Sequence, residues 1–391
     1  MDIFSDNECI KRLETKRSGI FKLQLGLDSQ QIDILLQRVI DAQARFKASP
    51  LAHVATQLEK EVIVSSVFGT NTIEGGELSE QETEAALELT PEQIQTIHQQ
   101  RALNIKTAYD YIREQADKAN WQPNFEDVMA IHERVYFKLS KSGEQNQPGI
   151  LRDNPDGIIT KVGDNDHGGI YKPPQLGTDI RHLLNELLQW NQQLVTKGVP
   201  ALIRAPLIHF YFELIHPFWD GNGRVGRVLE AGILYADGFR YAPFAQARYY
   251  LKNIDHYFAL FNHCRKAADK KQDYPNTAFI MFFLNGMLDT INALHDRVNR
   301  MIHMVLYEAR VKLFHDQKKI NDRQYAIVNE IVAKGSPTKL KILRQAAWYQ
   351  AMYSKLTDKT RSRDIRQLFD IGLLVEDKQG NVLPAFMTKI D

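Results

Sequence analysis

The chain has 391 residues and a formal net charge of +1, with 43% hydrophobic and 25% charged residues. These values are typical of a folded protein of two or three domains, and they argue against long disordered tracts and against a whole-chain field that attracts nucleic acid. Its two cysteines, Cys9 and Cys264, cannot form a disulfide framework, so we expect a reducing compartment. Residues 1–6 lack a signal-peptide pattern, and the apolar run Phe279–Leu284 is shorter than a membrane span, which together indicate a cytoplasmic protein without membrane contact.

Helical periodicity dominates the chain, and three helix starts carry capping signals. Ser79 with Glu82 predicts a capping box, Thr90 before Pro91 predicts a cap and a first-turn proline, and Asn124 predicts another cap. The expected helices before residue 320 cover 28–46, 56–69, 91–119, 124–136, 177–196, 201–215, 224–237, 246–263 and 276–314.

The pattern changes between residues 141 and 175. Lys141–Gly149 has the composition of a loop. Two short β-type runs, 157–162 and 169–171, flank a segment rich in Gly, Asp and Asn, and Pro173-Pro174 follows them. This arrangement predicts a β-hairpin.

The last seventy residues predict a different module. Helices are expected over 322–334, 338–350 and 359–371, and then a hairpin with strands 373–375 and 382–383. Three helices followed by a hairpin is the order of a winged helix.

The third helix of this module is basic, with Arg361, Arg363 and Arg366. In a winged helix this element commonly enters the DNA major groove, so residues 320–391 are a candidate DNA contact. Asp358 and Asp364 dilute the charge, and a protein-binding or packing role is the alternative.

The stretch from His216 to Arg227, HPFWDGNGRVGR, concentrates the chemistry of the chain. Its glycines match the dinucleotide-binding pattern G-x-G-x-x-G, which requires a preceding strand. Here about fifteen largely apolar residues precede it, and that length favours a helix. The dinucleotide-binding interpretation is therefore rejected in favour of an anion-binding loop between two helices.

Each polar residue of this loop suits phosphate chemistry. The glycines let backbone N–H groups turn inward at the positive start of a helix. Arg224 and Arg227, three residues apart, share a helix face and can form forked contacts with phosphate. Asp220 offers one hard oxygen ligand for Mg²⁺, and His216 can accept a proton at neutral pH. Singly each has an ordinary structural explanation, but together they indicate phosphoryl or nucleotidyl transfer.

The stretch resembles the Fic family signature, H-x-F-x-D/E-G-N-G-R-x-x-R, at every defined position. The resemblance implies a mainly α Fic-type helical core in which the predicted hairpin is a flap that binds the target segment by strand addition. It also implies transfer of AMP from ATP to a Tyr, Thr or Ser hydroxyl of a target protein, or of the chain itself. The implied roles are general base for His216, Mg²⁺ (or Mn²⁺) ligand for Asp220, anion hole for Gly221, Asn222 and Gly223, and binding of the distal phosphates for Arg224 and Arg227. Transfer of UMP, phosphate or phosphocholine on the same scaffold ranks lower. Tyr257 is a candidate for the adenine pocket and equally a candidate core residue.

A second segment, Thr70–Gly75, resembles the inhibitory motif of that family, S/T-x-x-x-E-G/N, with Thr70 in the hydroxyl position. The resemblance implies that Glu74 pairs with Arg227 and competes with the γ-phosphate for the same donors. In some members the same glutamate assists removal of AMP, and the sequence does not decide this.

The expected organisation is an N-terminal helical region with the inhibitory motif over 1–119, a catalytic core over 120–315, and a C-terminal winged-helix-like domain over 320–391. Cores of this kind often pair, so a homodimer is compatible with the sequence. The rival function is a DNA-binding regulator whose core senses nucleotide, but such a regulator has no physical need for both His216 and Asp220.

Overall fold

The computed structural model describes residues 9–139, 145–155 and 157–387. The acidic start at 1–6 and the first part of the Lys141–Gly149 loop lie outside them. The chain forms two compact units, one of Met1–Leu51 with Ala55–His295 and the other of Ala52–Val54 with Asp296–Asp391. The expected boundary at 119 stays a prediction, as does the one near 320.

The first unit begins with a hairpin that the sequence did not predict. Strands β1 (Lys11–Thr15) and β2 (Gly19–Leu23) are antiparallel, with Lys11 opposite Leu23. Gly19 has a φ of +74°, which lets the backbone turn tightly before β2. Charged residues occupy most of β1, so it lacks the alternation of apolar and polar residues that predicts a strand.

Eleven helices then follow in the described part of the chain up to Asp316. Their bounds are α1 (Ser29–Lys47), α2 (Ala55–Ile73), α3 (Glu80–Leu87), α4 (Ile97–Ala116), α5 (Phe125–Val135), α6 (Gly177–Thr196), α7 (Ala201–Ile215), α8 (Asn222–Ala236), α9 (Ala242–Lys252), α10 (Ile254–Asp269) and α11 (Thr277–Asp316). A short 3₁₀ turn, Leu51–His53, lies before α2.

Helix α7 is the centre of the first unit. Fourteen of its fifteen residues are buried, as its all-round apolar sequence predicts. It packs against α6 and α8, and α8 packs in turn against α4, α5 and α9. The turn between α7 and α8 is thereby fixed on both sides by buried helices.

The expected start of α4 at Thr90-Pro91 is wrong. The helix begins at Ile97 after the cap Thr96, whose hydroxyl accepts from the Gln99 N–H while the Gln99 side chain accepts from the Thr96 N–H. This reciprocal capping box satisfies two backbone donors, whereas a proline at the first turn satisfies none.

The single helix expected over 246–263 is two helices. Asn253, with φ −119° and ψ +37°, separates α9 from α10, and its side-chain amide donates to the Tyr249 carbonyl at 2.9 Å. The side chain thus satisfies a carbonyl at the end of α9 and offers the backbone an alternative to helix continuation.

The hairpin expected over 157–171 is reduced to a single antiparallel bridge between Val162 and Tyr171, with N–H···O distances of 2.9 and 2.8 Å. Between them the Gly169 N–H donates to the Asp164 carbonyl, and glycines 163, 168 and 169 have positive φ. These left-handed positions curl the segment away from the extended conformation that a strand requires.

Helix α11 is much longer than the apolar run Phe279–Leu284 that it contains. Among the described residues it alone is long and apolar enough to cross a membrane. Most of its apolar window is buried in the protein.

The second unit contains the C-terminal elements in the order helix, strand, three helices, two strands. They are α12 (Asp322–Lys334), β3 (Thr338–Lys339), α13 (Leu340–Gln345), α14 (Ala347–Met352), α15 (Asp358–Asp370), β4 (Leu374–Glu376) and β5 (Asn381–Pro384), before a 3₁₀ turn at Ala385–Met387. The strands form an antiparallel sheet in the order β3-β5-β4. The helix expected over 338–350 is therefore a short strand and two short helices, while α12, α15 and the terminal hairpin lie where they were expected.

Candidate active site

The loop between α7 and α8 has a backbone shape that its sequence makes possible. His216 ends α7 in the left-handed region at φ +50°, and Gly221 begins α8 at φ +88°. The Asn222 side chain closes the loop because it accepts from the Phe218 N–H at 2.9 Å and donates to the Phe218 carbonyl at 2.8 Å. The side chain of Asn222 is therefore occupied by hydrogen bonds within the loop, and only its backbone is available for an anion hole.

His132, on α5, holds the loop from outside. Its ring stacks on Phe218 with centroids 3.7 Å apart, the Gly149 N–H donates to Nδ1 at 3.0 Å, and Nε2 lies 3.1 Å from the Asp220 carbonyl. Since Nδ1 accepts, Nε2 carries the proton and donates to that carbonyl. Burial lowers the pKa of His132 to about 4, so the ring stays neutral under physiological conditions.

Arg152 fixes the backbone at the other end of the loop. Its fully buried guanidinium donates to the His216 carbonyl at 2.6 Å, to the Ile215 carbonyl at 3.3 Å, to Asn154 Oδ1 at 2.7 Å and to the Pro174 carbonyl. Burial lowers its pKa to about 10. The sequence predicted neither Arg152 nor His132, and only the place of His132 among the apolar positions of α5 hinted at a buried role.

A cavity of about 380 Å³ opens above this loop. The loop side chains His216 and Asp220 lie on its wall together with Arg227 from α8, Tyr257 from α10 and Glu74, which directly follows α2. The backbone of Gly221, Asn222 and Gly223 completes that wall. Most of the sequence-predicted site residues therefore meet at one cavity, although Glu74 lies 142 positions before His216 in the chain.

The curled segment after Val162 covers one side of the cavity. His167 contacts Asp164 at 2.9 Å and Asp255 on α10 at 3.3 Å, and these carboxylates raise the pKa of His167. Asn262, also on α10, donates to the Gly169 carbonyl at 2.6 Å. The segment is thus attached to α10 rather than paired as a full hairpin.

Glu74 pairs with Arg227 in this structure. The distance from Glu74 Oε1 to Arg227 Nη2 is 2.7 Å, and the Arg227 side chain is 2% exposed. Burial raises the pKa of the Glu74 carboxyl, but the Arg227 and Arg224 guanidinium groups lower it, and the net direction is downward. Gly223 makes room for the contact, since a Cβ there would lie 2.3 Å from Glu74 Oε1.

The rest of the Thr70–Gly75 segment holds Glu74 in position. Thr70 belongs to α2, where its hydroxyl lies 2.9 Å from the Tyr109 hydroxyl and its carbonyl accepts from Arg227 at 3.4 Å. Gly75 leaves the helix with φ +74°. Arg101 on α4, which the sequence did not single out, donates to the Glu74 carbonyl at 2.7 Å. Neither Thr70 nor Gly75 lines the cavity.

Asp220 and Arg224 form an ion pair at 2.9 Å. Arg224 is 1% exposed and lies behind the loop, outside the cavity lining, so its role toward distal phosphates stays a prediction. The Asp220 side chain is 54% exposed, and its Oδ1 accepts from the Gly221 N–H at 2.6 Å. Burial raises the pKa of Asp220, but Arg224 and the Gly221 N–H lower it, and the net direction is downward.

Tyr257 forms part of the cavity wall but is only 1% exposed. Its hydroxyl lies 3.1 Å from His209 Nε2, and its ring stacks on Tyr250 with centroids 4.6 Å apart. These contacts are those of a core residue, and a role in adenine binding stays a prediction.

Residues 122–234, which include the whole loop, match the model of the Fic/DOC family. The probable protein adenylyltransferase of Aquifex aeolicus is 32% identical over 87 residues, or 22% of this chain and 26% of that one. The protein adenylyltransferase fic-1 of Caenorhabditis elegans is 24% identical over 211 residues, or 52% of this chain and 38% of that one. The chain thus spans less than half the length of these curated relatives.

Solved structures share the fold over a longer range. A Fic family protein from Desulfovibrio desulfuricans superposes with a TM-score of 0.55 at 17% identity, covering 92% of this chain and 97% of that one. At this identity the likeness establishes the fold alone. It extends the similarity well beyond residues 122–234.

Proposed function

We propose that this chain, whose residues 122–234 form a Fic domain, is a protein adenylyltransferase that moves AMP from ATP to a hydroxyl group of a target protein. The observation that carries the proposal is the meeting of His216, Asp220, Arg227 and the 221–223 backbone at one cavity. These groups are a base, a metal ligand, a buried cation and an anion-binding helix start, which is the set that nucleotidyl transfer requires. The names of the relatives point to the same activity.

In the proposed reaction the target hydroxyl oxygen bonds to the α-phosphorus of ATP. The bond from that phosphorus to the bridging oxygen on the β-side breaks, and pyrophosphate leaves. The hydroxyl proton passes to the imidazole of His216. The N–H groups at the start of α8 stabilise negative charge on the phosphate oxygens, because they are already oriented by the closed loop.

Asp220 is the residue that fits a Mg²⁺ or Mn²⁺ ion. Among the described residues no three His, Cys, Asp or Glu side chains form a metal cluster. A single half-exposed carboxylate beside a phosphate site suits Mg²⁺, which takes most of its ligands from water and phosphate oxygens. A bound ion would neutralise charge on the phosphates and orient them.

We propose that Glu74 inhibits this activity at rest. Its carboxylate occupies Arg227, and a terminal phosphate needs the same donors. Arg101 supports the inhibited arrangement by binding the Glu74 carbonyl. Nucleotide therefore binds productively only when Glu74 moves away from Arg227.

Both parts of the proposal are tested with ATP that is radiolabelled on the α-phosphate, incubated with the full chain, a cell lysate and Mg²⁺. We expect Glu74→Gly to raise labelling of itself and of targets by about tenfold or more. A change of this size lies within the range that typical coupling free energies between two sites produce. His216→Ala in that background abolishes labelling while nucleotide still binds. Glu77→Gly, which changes an exposed carboxylate of the neighbouring loop, serves as the matched control.

The alternatives are separated by parallel incubations with ATP labelled on the γ-phosphate and with labelled UTP. Label transferred from the γ-phosphate instead of the α-phosphate indicates phosphorylation, and labelling from UTP indicates UMP transfer. If Glu74→Gly labels no more than wild type, the inhibitory role is wrong. If His216→Ala retains full labelling, the proposed base is wrong. Mass spectrometry of the labelled proteins identifies the target and decides between Tyr, Thr and Ser.

A second candidate function is DNA binding by the C-terminal unit as a winged helix. The observation that favours it is the orientation of α15, where Arg363 and Arg366 are exposed while Asp364 is buried and pairs with Arg323 at 2.9 Å. Asp364 therefore does not neutralise the exposed face, whereas the exposed Asp358 pairs with Arg361 at 3.2 Å. Arg361 is less available for a phosphate contact, because it donates to the Tyr353 carbonyl at 3.1 Å.

Gel-shift titration of the full chain with duplex DNA at several salt concentrations tests this candidate. Arg363→Ala with Arg366→Ala should weaken binding and reduce the salt slope by about one for each lost phosphate contact. Arg38→Ala, an exposed arginine of α1, is the control. Equal binding by the double variant and wild type removes the candidate. Light scattering of the same sample decides whether the chain is a homodimer.

A further inference from the structure

A carboxylate that the family signature does not include lies beside the proposed base. Glu213 is on the last turn of α7, three positions before His216. Its Oε2 is 3.7 Å from His216 Nδ1, and both side chains are largely buried, at 15% and 17% exposure. Both residues also line the cavity.

Polar atoms of both residues are buried without a hydrogen-bond partner among the described residues, namely Glu213 Oε1 and His216 Nδ1. Leaving a buried polar atom unsatisfied costs about 1 to 3 kcal/mol. A small rotation that brings the two side chains to the usual distance of about 2.9 Å satisfies the histidine nitrogen. Hydrogen bonds of this kind are often long without substrate and shorten when it binds.

The surroundings leave Glu213 and His216 few other choices. Arg152 donates to the His216 carbonyl at 2.6 Å and so holds the backbone of His216 in place. A rotation of the His216 ring therefore does not move its backbone. Gly226 on α8 leaves space for Glu213, since a Cβ there would lie 3.0 Å from its Oε1. The other titratable or charged groups on the cavity wall are Glu74, Asp164, His167, Tyr171, Asp220, Arg227 and Tyr257.

We propose that Glu213 is a positioning residue that fixes the tautomer of His216. Nδ1 carries the ring proton and donates a hydrogen bond to the Glu213 carboxylate. Nε2 is then unprotonated, and its lone pair faces the cavity. This inference rests on the proposed function. The proton that leaves the target hydroxyl goes to Nε2, and the positive charge that then forms on the ring lies next to the carboxylate of Glu213.

The tautomer is measurable without any activity. The full chain is labelled with ¹⁵N-histidine, and the signals of His216 are assigned by their loss in His216→Ala. We expect Nδ1 to be protonated and Nε2 unprotonated in the neutral ring. Glu213→Gln keeps an acceptor and keeps this tautomer, whereas Glu213→Leu gives a mixture. A proton on Nε2 in wild type, or an unchanged spectrum in Glu213→Leu, overturns the proposal.

The kinetic consequence is tested in the Glu74→Gly background. Glu213→Leu, which loses the tautomer, should lower kcat by about tenfold to a hundredfold, a fraction of the roughly 10²–10⁴ that general base catalysis supplies, and leave KM for ATP within about twofold. Glu88→Gln, an exposed ion-pair partner of Lys60, is the control. An unchanged kcat, or a loss confined to KM, also overturns the proposal.

The two measurements separate failure of this inference from failure of the proposed function. If Glu74→Gly with Glu213 intact transfers no AMP, the proposed function is wrong and the kinetic role falls with it. The spectrum of His216 still decides whether Glu213 sets the tautomer. If AMP transfer is normal but the tautomer does not depend on Glu213, only the inference is wrong.

Discussion

Replacing Glu74 with glutamine should destabilise the nucleotide-free protein and make it depend on ATP for its stability. Arg227 is 2% exposed, and its nearest charge partner is Glu74 at 2.7 Å. Its other contacts, to the Thr70 carbonyl at 3.4 Å and the Tyr257 hydroxyl at 3.5 Å, are long and neutral. The neutral amide of the Glu74→Gln variant would therefore leave a buried cation without a carboxylate.

The size of the effect follows from this geometry. Removing one partner of a buried ion pair costs about 3 to 5 kcal/mol. Because Glu74 is 20% exposed and Arg227 keeps two weak acceptors, we take the lower end, about 3 kcal/mol. A domain of this size loses roughly 2 °C of Tm for each kcal/mol, so the expected loss is roughly 6 °C.

The assay is thermal unfolding with and without ATP and Mg²⁺. Nucleotide at about 100 times its Kd stabilises by about 2.7 kcal/mol when its site is free. Wild type should gain less, since Glu74 must first leave Arg227. The control Asp117→Asn removes an exposed ion pair with Arg240 and should cost below about 1 kcal/mol. The reasoning would be refuted if Glu74→Gln had the same Tm as wild type without nucleotide, or if ATP and Mg²⁺ raised the Tm of both proteins equally.

Two further predictions concern the residues that hold the loop. The pKa of His132 is about 4 in the folded protein and about 6.5 in the unfolded chain, so the unfolded state binds more protons between these values. The free energy of unfolding should therefore fall by roughly 3 kcal/mol as the pH drops from about 6.5 to about 4, and urea titration of His132→Gln should lack this slope. Arg152→Met removes the anchor of the His216 carbonyl, and we expect kcat for AMP transfer in the Glu74→Gly background to fall by about tenfold or more while circular dichroism retains the helical signal.

Local patterns predicted most of the helices, but the expected start at Thr90-Pro91 was wrong. The chain begins α4 after Thr96 because the capping box of Thr96 with Gln99 satisfies two backbone donors. The unpredicted strand β1 has little apolar alternation, and its pairing with β2 appears only in three dimensions. Short strands depend on such pairing more than on their own composition.

The candidate site divides in the same way. His216, Asp220 and Arg227 lie within twelve residues, so one sequence motif reveals them. His132 and Arg152 lie 84 and 64 positions before His216, outside the motif. Each binds a main-chain carbonyl oxygen of the loop. Every residue has a main-chain carbonyl, so such a contact does not require a particular residue type in the loop. A residue that acts on backbone atoms is therefore invisible to motif reasoning, however important its position.

The arrangement behind Arg227 explains why the proposed inhibition does not require the site to be rebuilt. The His209 Nδ1–H donates to Glu230 at 2.8 Å, His209 Nε2 accepts from the Tyr257 hydroxyl at 3.1 Å, and that oxygen accepts from Arg227 at 3.5 Å. His209, Glu230 and Tyr257 are each at most 2% exposed, so these hydrogen bonds are buried, although Tyr257 and Arg227 also form part of the cavity wall. Arg227 is thus bound by the Tyr257 hydroxyl through a nitrogen other than the one that binds Glu74. If Glu74 moves away, the guanidinium keeps its position and offers the freed donors to the incoming anion, so the carboxylate and the phosphate exchange on one preformed cation.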